Sequence, residues 1–270
     1  MIQSISRSTE GPALQYLSRA PILNVFLTHI LAHDPAPPAQ KNVAVALDYN
    51  RVLGVGYFGR QIVLAAEPAA IAAFAEHAKR HRNERMIVGS RDTIRAFWEA
   101  VRGWHAAPRL VRDRQFVMLL DRLRLRPYER RTTVRQARAA EWRVVADSSA
   151  QMVRQELGYD PRRGSTEFGE GIRQMIERKL WWIGSANGRI CFFCHIGPWS
   201  ERTIQLQGIW TPPELRGRGL ATAALAEICD HLLEVSPSLS LYVNDFNEAA
   251  LALYRRVGFE HVGDFQTLLF

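Results

Sequence analysis

Three stretches of this sequence combine residue types that do chemistry. In the first, Pro212 to Ala221, Gly217 and Gly219 alternate with Arg216 and Arg218 between a β-type run (203 to 211) and a long apolar-periodic segment. The first N–H groups of a helix have no intrahelical partner and lie at the positive end of its dipole, so a glycine loop there is built to hold a phosphate. The loop has neither the G-x-G-x-x-G spacing of a dinucleotide site nor the Lys-Ser/Thr ending of a mononucleotide site. In the second stretch, Asn247 to Phe259, Asn247 stands where a helix begins and Tyr254 lies on the helical face of Ala250, Leu253 and Val257. Asn is a favoured cap, and a phenol with a reference pKa of about 10 is a proton donor at neutral pH. A tyrosine kept only for packing would occupy the same face.

The third stretch, Cys191-Phe-Phe-Cys194-His195, fits the C-x-x-C-H of haem attachment. It follows an Asn187-Gly188 hairpin turn in a β-type run, where alternation sends Cys191 and Cys194 to opposite faces. Met1 to Glu10 has no signal-peptide core, and there is no second Cys/His pair at zinc spacing. The reading is buried thiols, with no haem and no metal. His29 and His33, one helical turn apart, have no third ligand nearby and read as helix-end residues.

The first two stretches, in this order and at this separation, resemble the GNAT acetyltransferases. Arg216, Gly219 and Ala221 are similar to that family's R/Q-x-x-G-x-G/A loop, and 247 to 259 to its N-x-x-A-x-x-L-Y-x-x-x-G-F helix. Segments 206 to 219 and 241 to 247 resemble two-domain members whose N-terminal half has no assigned function. The resemblance implies an α/β (α+β) fold of two tandem GNAT-like domains, each a mixed, mostly antiparallel sheet flanked by helices. It implies acetyl-CoA as co-substrate, its pyrophosphate on Arg216, Gly217, Arg218, Gly219, Leu220 and Ala221. The backbone of Ile209, Trp210 and Thr211 and the side chain of Asn247 would hold the pantetheine arm. Tyr254 would donate to the CoA sulfur during direct transfer to an amine. Gln205 stands where the family often has a basic glutamate, which leaves Gln205 and Gln207 to orient water or acceptor. A non-catalytic acyl-CoA-binding regulator is the rival that Gln205 favours.

The elements that must position these residues follow from periodicity. Leu23, Phe26, Leu27, Ile30 and Leu31 predict a helix ending by His33, before the loop Asp34-Pro-Ala-Pro-Pro. Strands are expected at 43–47, 52–58 and 61–65 as an antiparallel meander, then a helix over 68–82, a strand at 85–88, a helix over 91–102 and a strand at 110–120. Where an acyl-CoA loop would open the helix after the third strand, the sequence has Ala65-Ala-Glu67-Pro, with a carboxylate and no glycine. The N-terminal half therefore reads as a degenerate copy that does not bind CoA. The arginine-rich stretch Asp121 to Arg131 is the linker, giving domains at 1–125 and 126–270. The second half reads as a strand at 132–137, helices within 139–157 and 165–179, and strands at 180–186 and 189–196. One ring of Trp181-Trp182 is expected in the core and the other on the acceptor cleft.

With 270 residues and 47% apolar content the chain has room for two packed domains. The net charge of +8 comes almost wholly from scattered arginines, a distribution that does not favour nucleic acid. No run approaches the roughly 18 apolar residues of a membrane span. Three cysteines make no disulfide framework, in keeping with a reducing, cytoplasmic setting. The amine acceptor, a small molecule or a protein, the size of the acyl group and any oligomer are left open.

Overall fold

The computed structural model describes residues 1–33, 41–81, 84–163 and 166–270; the loop expected at Asp34 to Pro38 lies outside them. The N-terminal half runs β1 (Ile2–Ser4), α1 (Arg7–Leu17), α2 (Val25–Ala32), β2 (Val43–Asp48), β3 (Arg51–Phe58), β4 (Ile62–Ala66), α3 (Ile71–Ala78), β5 (Met86–Ser90), α4 (Arg91–Val101) and β6 (Leu110–Asp121). The C-terminal half repeats the order: β7 (Thr133–Gln136), α5 (Trp142–Leu157), α6 (Glu167–Glu177), β8 (Trp181–Ala186), β9 (Arg189–Trp199), β10 (Ile204–Trp210), α7 (Leu220–Leu232), β11 (Ser238–Asn244), α8 (Glu248–Val257) and β12 (Glu260–Leu269). This is the tandem mixed α/β architecture the sequence implies.

The twelve strands of the described residues form one sheet in the order β1-β2-β3-β4-β5-β12-β6-β11-β10-β9-β8-β7. Among the described residues only β4 with β5 and β10 with β11 are parallel. The two halves meet through an exchange. Strand β6, from the N-terminal half, pairs along β11 from Gln115↔Asn244 to Asp121↔Ser238, and β12, from the C-terminal half, pairs along β5 from Met86↔Leu269 to Ser90↔Phe265. The exchanged strands also pair with each other, from Leu110↔Leu269 to Leu119↔Glu260.

Both faces of the sheet are covered. In the N-terminal half Phe74, Ile94 and Phe97 of α3 and α4 cover one face, and Leu17, Leu27 and Leu31 of α1 and α2 the other. In the C-terminal half α7 and α8 pack on one face around Leu225, Ile228 and Tyr254, and α5 and α6 on the other around Val145 and Ile176. Met118 and Leu120 of β6 belong to the α7–α8 cluster, while Val117 joins the α1–α2 cluster with Phe265 of β12. Across the strands a buried chain runs from Thr267 Oγ1 to Gln115 Oε1 (2.5 Å) and from Gln115 Nε2 to Asn244 Oδ1 (3.0 Å).

At the N-terminal position matching the glycine loop, Glu67 is bound by Arg51 at 2.5 Å and Arg19 at 3.4 Å, so a carboxylate already holds the cations there. Residues 121–131 are pinned rather than free: Arg122 and Tyr128 both bond Asp230 of α7, and the Arg126 N–H donates to Val257 at 3.0 Å. His29 and His33 pack on Trp199 of β9, with ring centroids at 4.1 and 5.9 Å, and so join the halves.

A cut between 125 and 126 strips β11 of its β6 partner and β12 of both its partners, exposing strand edges that template aggregation. Residues 126–270 expressed alone are expected to elute as aggregates without a cooperative melt, and co-expression with 1–125 to restore a single folded complex. A monomeric, cooperatively melting C-terminal fragment would show that the exchange is dispensable.

Candidate active site

The site begins where β10 and β11 part. They pair in parallel only at Ile204↔Leu239 and Gln205↔Ser240, after which the ladder stops although both strands continue, to Trp210 and Asn244. On its other edge β10 follows β9, with a register shift between Gln207 and Trp210. Gly208 sits in that bulge at φ +61°, and a Cβ there would lie 2.6 Å from the His195 ring. The bulge turns the end of β10 away from β11.

The gap is a cleft of about 820 Å³ lined by Ile209, Trp210, Thr211, the run Arg216 to Ala221, Asn247 and Tyr254. The structure thus brings Tyr254 and the expected cofactor-binding residues together in one cleft. Helix α7 opens at Gly219, φ +74°, with no side-chain cap and no acidic residue in its first turn, so its leading N–H groups are left for another acceptor. Gly217 is also left-handed, at φ +73°, and a Cβ there would meet nothing within 4 Å.

The arginines of the loop are braced. Arg216 donates from Nε to the Thr211 carbonyl (3.0 Å) and from Nη2 to Gln155 Oε1 (3.1 Å), and its guanidinium lies 4.4 Å from the centroid of Trp210. Arg218 donates to the Glu214 carbonyl at 3.0 Å. Asn247 caps α8 by accepting from the Ala250 N–H at 3.2 Å while lining the cleft, so a cap and a ligand contact are compatible. The Tyr254 hydroxyl has no hydrogen-bond partner among the described residues. Burial, with the Glu156 carboxylate second, pushes its phenol up, which keeps it protonated.

Residues outside the sequence motifs complete the cleft. Arg112 and Gln115 come from β6, so the N-terminal half furnishes part of the wall, and Glu156 of α5 pairs with Arg112 at 3.4 Å. Gln207 and His195 line the cleft on β10 and β9. Gln205 does not: it is buried, its Oε1 accepting from Gln207 Nε2 at 2.8 Å. Arg131 also points at the loop, with Nη1 3.3 Å from where a Gly219 Cβ would be. Nothing local in the sequence marks that α5 meets β6; beyond their ends, Arg109 lies over the Tyr159 ring, 5.2 Å from its centroid.

Two expectations need correction. Cys191 and Cys194 are both buried in the α7–α8 cluster instead of facing opposite ways, because the β8–β9 register shifts between Gly184 and Ser185 and adds a residue opposite them. Neither tryptophan lines the cleft: Trp181 is core, and Trp182 stacks on His231 of α7, 5.9 Å between centroids. Among the described residues no group of three metal-ligating side chains exists, and no helix is long and apolar enough to cross a membrane.

The model of the acetyltransferase (GNAT) family matches residues 141–259. The C-terminal half therefore carries a GNAT acetyltransferase domain. A domain of unknown function (DUF4081) matches residues 46–145, so the boundary between the two matches falls at the start of α5, beyond β7. A curated relative, mycothiol acetyltransferase of Acidimicrobium ferrooxidans, is 36% identical over 94 residues, 31% of this chain. That match spans 30% of the relative's own length. Among solved structures, a GCN5-related N-acetyltransferase from Sphaerobacter thermophilus superposes with TM-score 0.63 at 13% identity, covering 99% of this chain and 94% of that one. A tandem GNAT protein from the clavulanic acid biosynthesis pathway gives TM-score 0.59 at 15% identity over 100% of this chain and 98% of its own. These superpositions show that the GNAT fold extends over both halves.

The two left-handed glycines separate strain from crowding. Gly217→Ala carries only the strain of a left-handed residue, about 1–2 kcal/mol. Gly208→Ala adds a collision with the His195 ring and is expected to lose at least about 2 kcal/mol more than Gly217→Ala does. Urea denaturation of the two variants measures the difference; equal losses would mean that the bulge has room to spare.

Proposed function

We propose that the protein is an N-acetyltransferase that moves an acetyl group from acetyl-CoA directly to an amine, on a small molecule or a protein, in the cleft between β10 and β11. The observation that carries this reading is the coincidence, in one cleft, of an uncapped glycine-led helix N-terminus, a strand with an unpaired edge and an unpartnered buried tyrosine. The open space beside Gly217 and the uncapped N–H groups fit a pyrophosphate, with Arg131 near by to offset its charge. The free edge of Ile209 to Thr211 fits an amide-bearing arm added as an extra strand, and Asn247 stands beside it. Bound there, acetyl-CoA supplies an activated acyl carbon. The chain's part is to hold that carbon in line with the acceptor, an alignment able to supply about 7–11 kcal/mol.

Tyr254, protonated and without a protein partner, is placed to protonate the leaving thiolate. Arg112 and Gln115 on the cleft wall give the N-terminal half a part in acceptor binding, and Glu67, already bound by two arginines, supports the reading that this half holds no CoA of its own. The relative named for mycothiol makes small-molecule amines the first acceptors to assay. Gln205, a carboxamide in a buried hydrogen bond, favours the second reading, a regulator that binds acyl-CoA without turnover. A thiol-release assay with acetyl-CoA across a panel of amines decides between them: turnover with any amine excludes the regulator.

Two variants test the parts. CoA is expected to raise the melting temperature of the wild-type protein and of Gly219→Ala, and to leave Gly219→Glu unshifted, because the added carboxylate faces the phosphates; a shift in the Glu variant would place the phosphates elsewhere. Tyr254→Phe keeps the packed ring and is expected to lower kcat roughly 10–10³-fold with KM little changed. An unchanged kcat under rate-limiting chemistry would leave Tyr254 a packing role.

A further inference from the structure

On the acceptor side of the cleft the motifs provide no proton acceptor. Gln205 is a carboxamide engaged by Gln207, and the Glu156 carboxylate is paired with Arg112. His195 differs from both. It lies opposite Gln207 in the β9–β10 ladder and lines the cleft. Its Nδ1 is 3.2 Å from the Ile196 carbonyl, which only a protonated Nδ1 satisfies, so the neutral ring carries its lone pair on Nε2. No described residue bonds Nε2.

The space at that nitrogen is made by Gly208, since a Cβ there would lie 3.0 Å from Nε2, and the ring is held in place by Trp181, 4.6 Å between centroids. Cys194 packs in the cluster that contains Tyr254, and its neighbour His195 turns to the other face, against Trp181. The tyrosine and the imidazole therefore reach the cleft from opposite faces of the sheet, as a donor for the leaving group and an acceptor for the nucleophile must.

We propose that His195 Nε2 is the proton acceptor for the attacking amine. The inference rests on the acetyl-transfer reading and names the group that replaces the missing glutamate. The amine nitrogen bonds to the thioester carbonyl carbon, and the nitrogen's excess proton passes to Nε2. The carbon–sulfur bond then breaks with its electron pair on sulfur, and the Tyr254 hydroxyl protonates that thiolate. The imidazolium releases its proton to water and the phenolate takes one up, which returns both groups to their starting forms.

Burial pushes the imidazole down to about 4, against the weaker opposing effect of the Ile196 carbonyl, so at neutral pH it is already the free base. The other charged and titratable groups on the cleft wall are Arg112 of β6, Glu156 of α5, Tyr242 of β11 and Tyr254 and Arg256 of α8, with Arg216 and Arg218 in the loop.

His195→Asn keeps a side-chain N–H for the Ile196 carbonyl and removes Nε2. With acetyl-CoA and whichever of ethanolamine, glucosamine, spermidine and an alanyl tetrapeptide the wild-type protein acetylates, kcat at pH 7 is expected to fall about 10²–10⁴-fold. The variant's remaining rate rises about tenfold per pH unit as hydroxide takes over the proton. Its calorimetric affinity for acetyl-CoA stays as in the wild type. In wild-type protein carrying ¹⁵N-labelled histidine, the Nε2 resonance of His195 reads as an unprotonated nitrogen at pH 7, an observation that needs neither acceptor nor variant. A protonated Nε2, or a folded variant with wild-type kcat and pH profile, overturns the inference. If acetyl-CoA binds but the wild-type protein acetylates none of these amines, the acetyl-transfer reading falls and takes this inference with it.

Discussion

The pairing of β6 with β12 at the centre of the sheet is the constraint on which the other features depend. Each of these strands belongs by chain order to one half and by hydrogen bonding to both, so neither half completes its sheet alone. Because β6 saturates one edge of β11, that strand is fixed in place and only its other edge is free to part from β10. The cleft is therefore a gap between a held strand and a diverging one. Its width is set by the central pairing and by the bulge at Gly208.

The same pairing explains how a half with no glycine loop has a place in the site. Gln115 joins Thr267 and Asn244 in a buried hydrogen-bonded chain and also lines the cleft. Buried polar groups of this kind hold position well because an unpaired partner is costly, by about 1–3 kcal/mol for a neutral group. A change on the N-terminal side of the sheet is thus felt at the wall of the C-terminal cleft.

The sequence made the local features legible. Glycine pairs, an Asn cap and apolar runs of period two or 3.6 marked β2 to β4, α3 to α8 and the loop before α7, and the motif residues do converge on one cleft. What it hid depends on long-range pairing. The exchange leaves no local mark, because β6 and β12 would look the same had each stayed in its own half. The repeat of element order is likewise invisible, since it is kept in pattern and not in identity. Helix α1 carries Gly11 and Pro12 in its interior, two residues that disfavour a helix locally, so composition does not mark it. Cys191 was misplaced because a bulge in β9 cannot be read from alternation, and once haem and metal are set aside nothing in Cys191 to His195 marks the histidine. Arg112 and Glu156 become neighbours only when β6 crosses over.

The exchange also orders events in time. Strand β12, the latest of the twelve in sequence, is sixth in the sheet and lies between β5 and β6. During synthesis the first half emerges with both of those edges bare, and it must wait for more than a hundred further residues before the strand that joins them exists. Domains in general fold as they leave the ribosome, from the N-terminus onward. In this chain the sheet cannot close until its last strand has been made, so contacts of very long sequence separation govern its assembly and folding is slow. A holdase that shields strand edges would act on the first half during that interval, and a truncation that removes β12 would cost the N-terminal half its partner as surely as it would the C-terminal half.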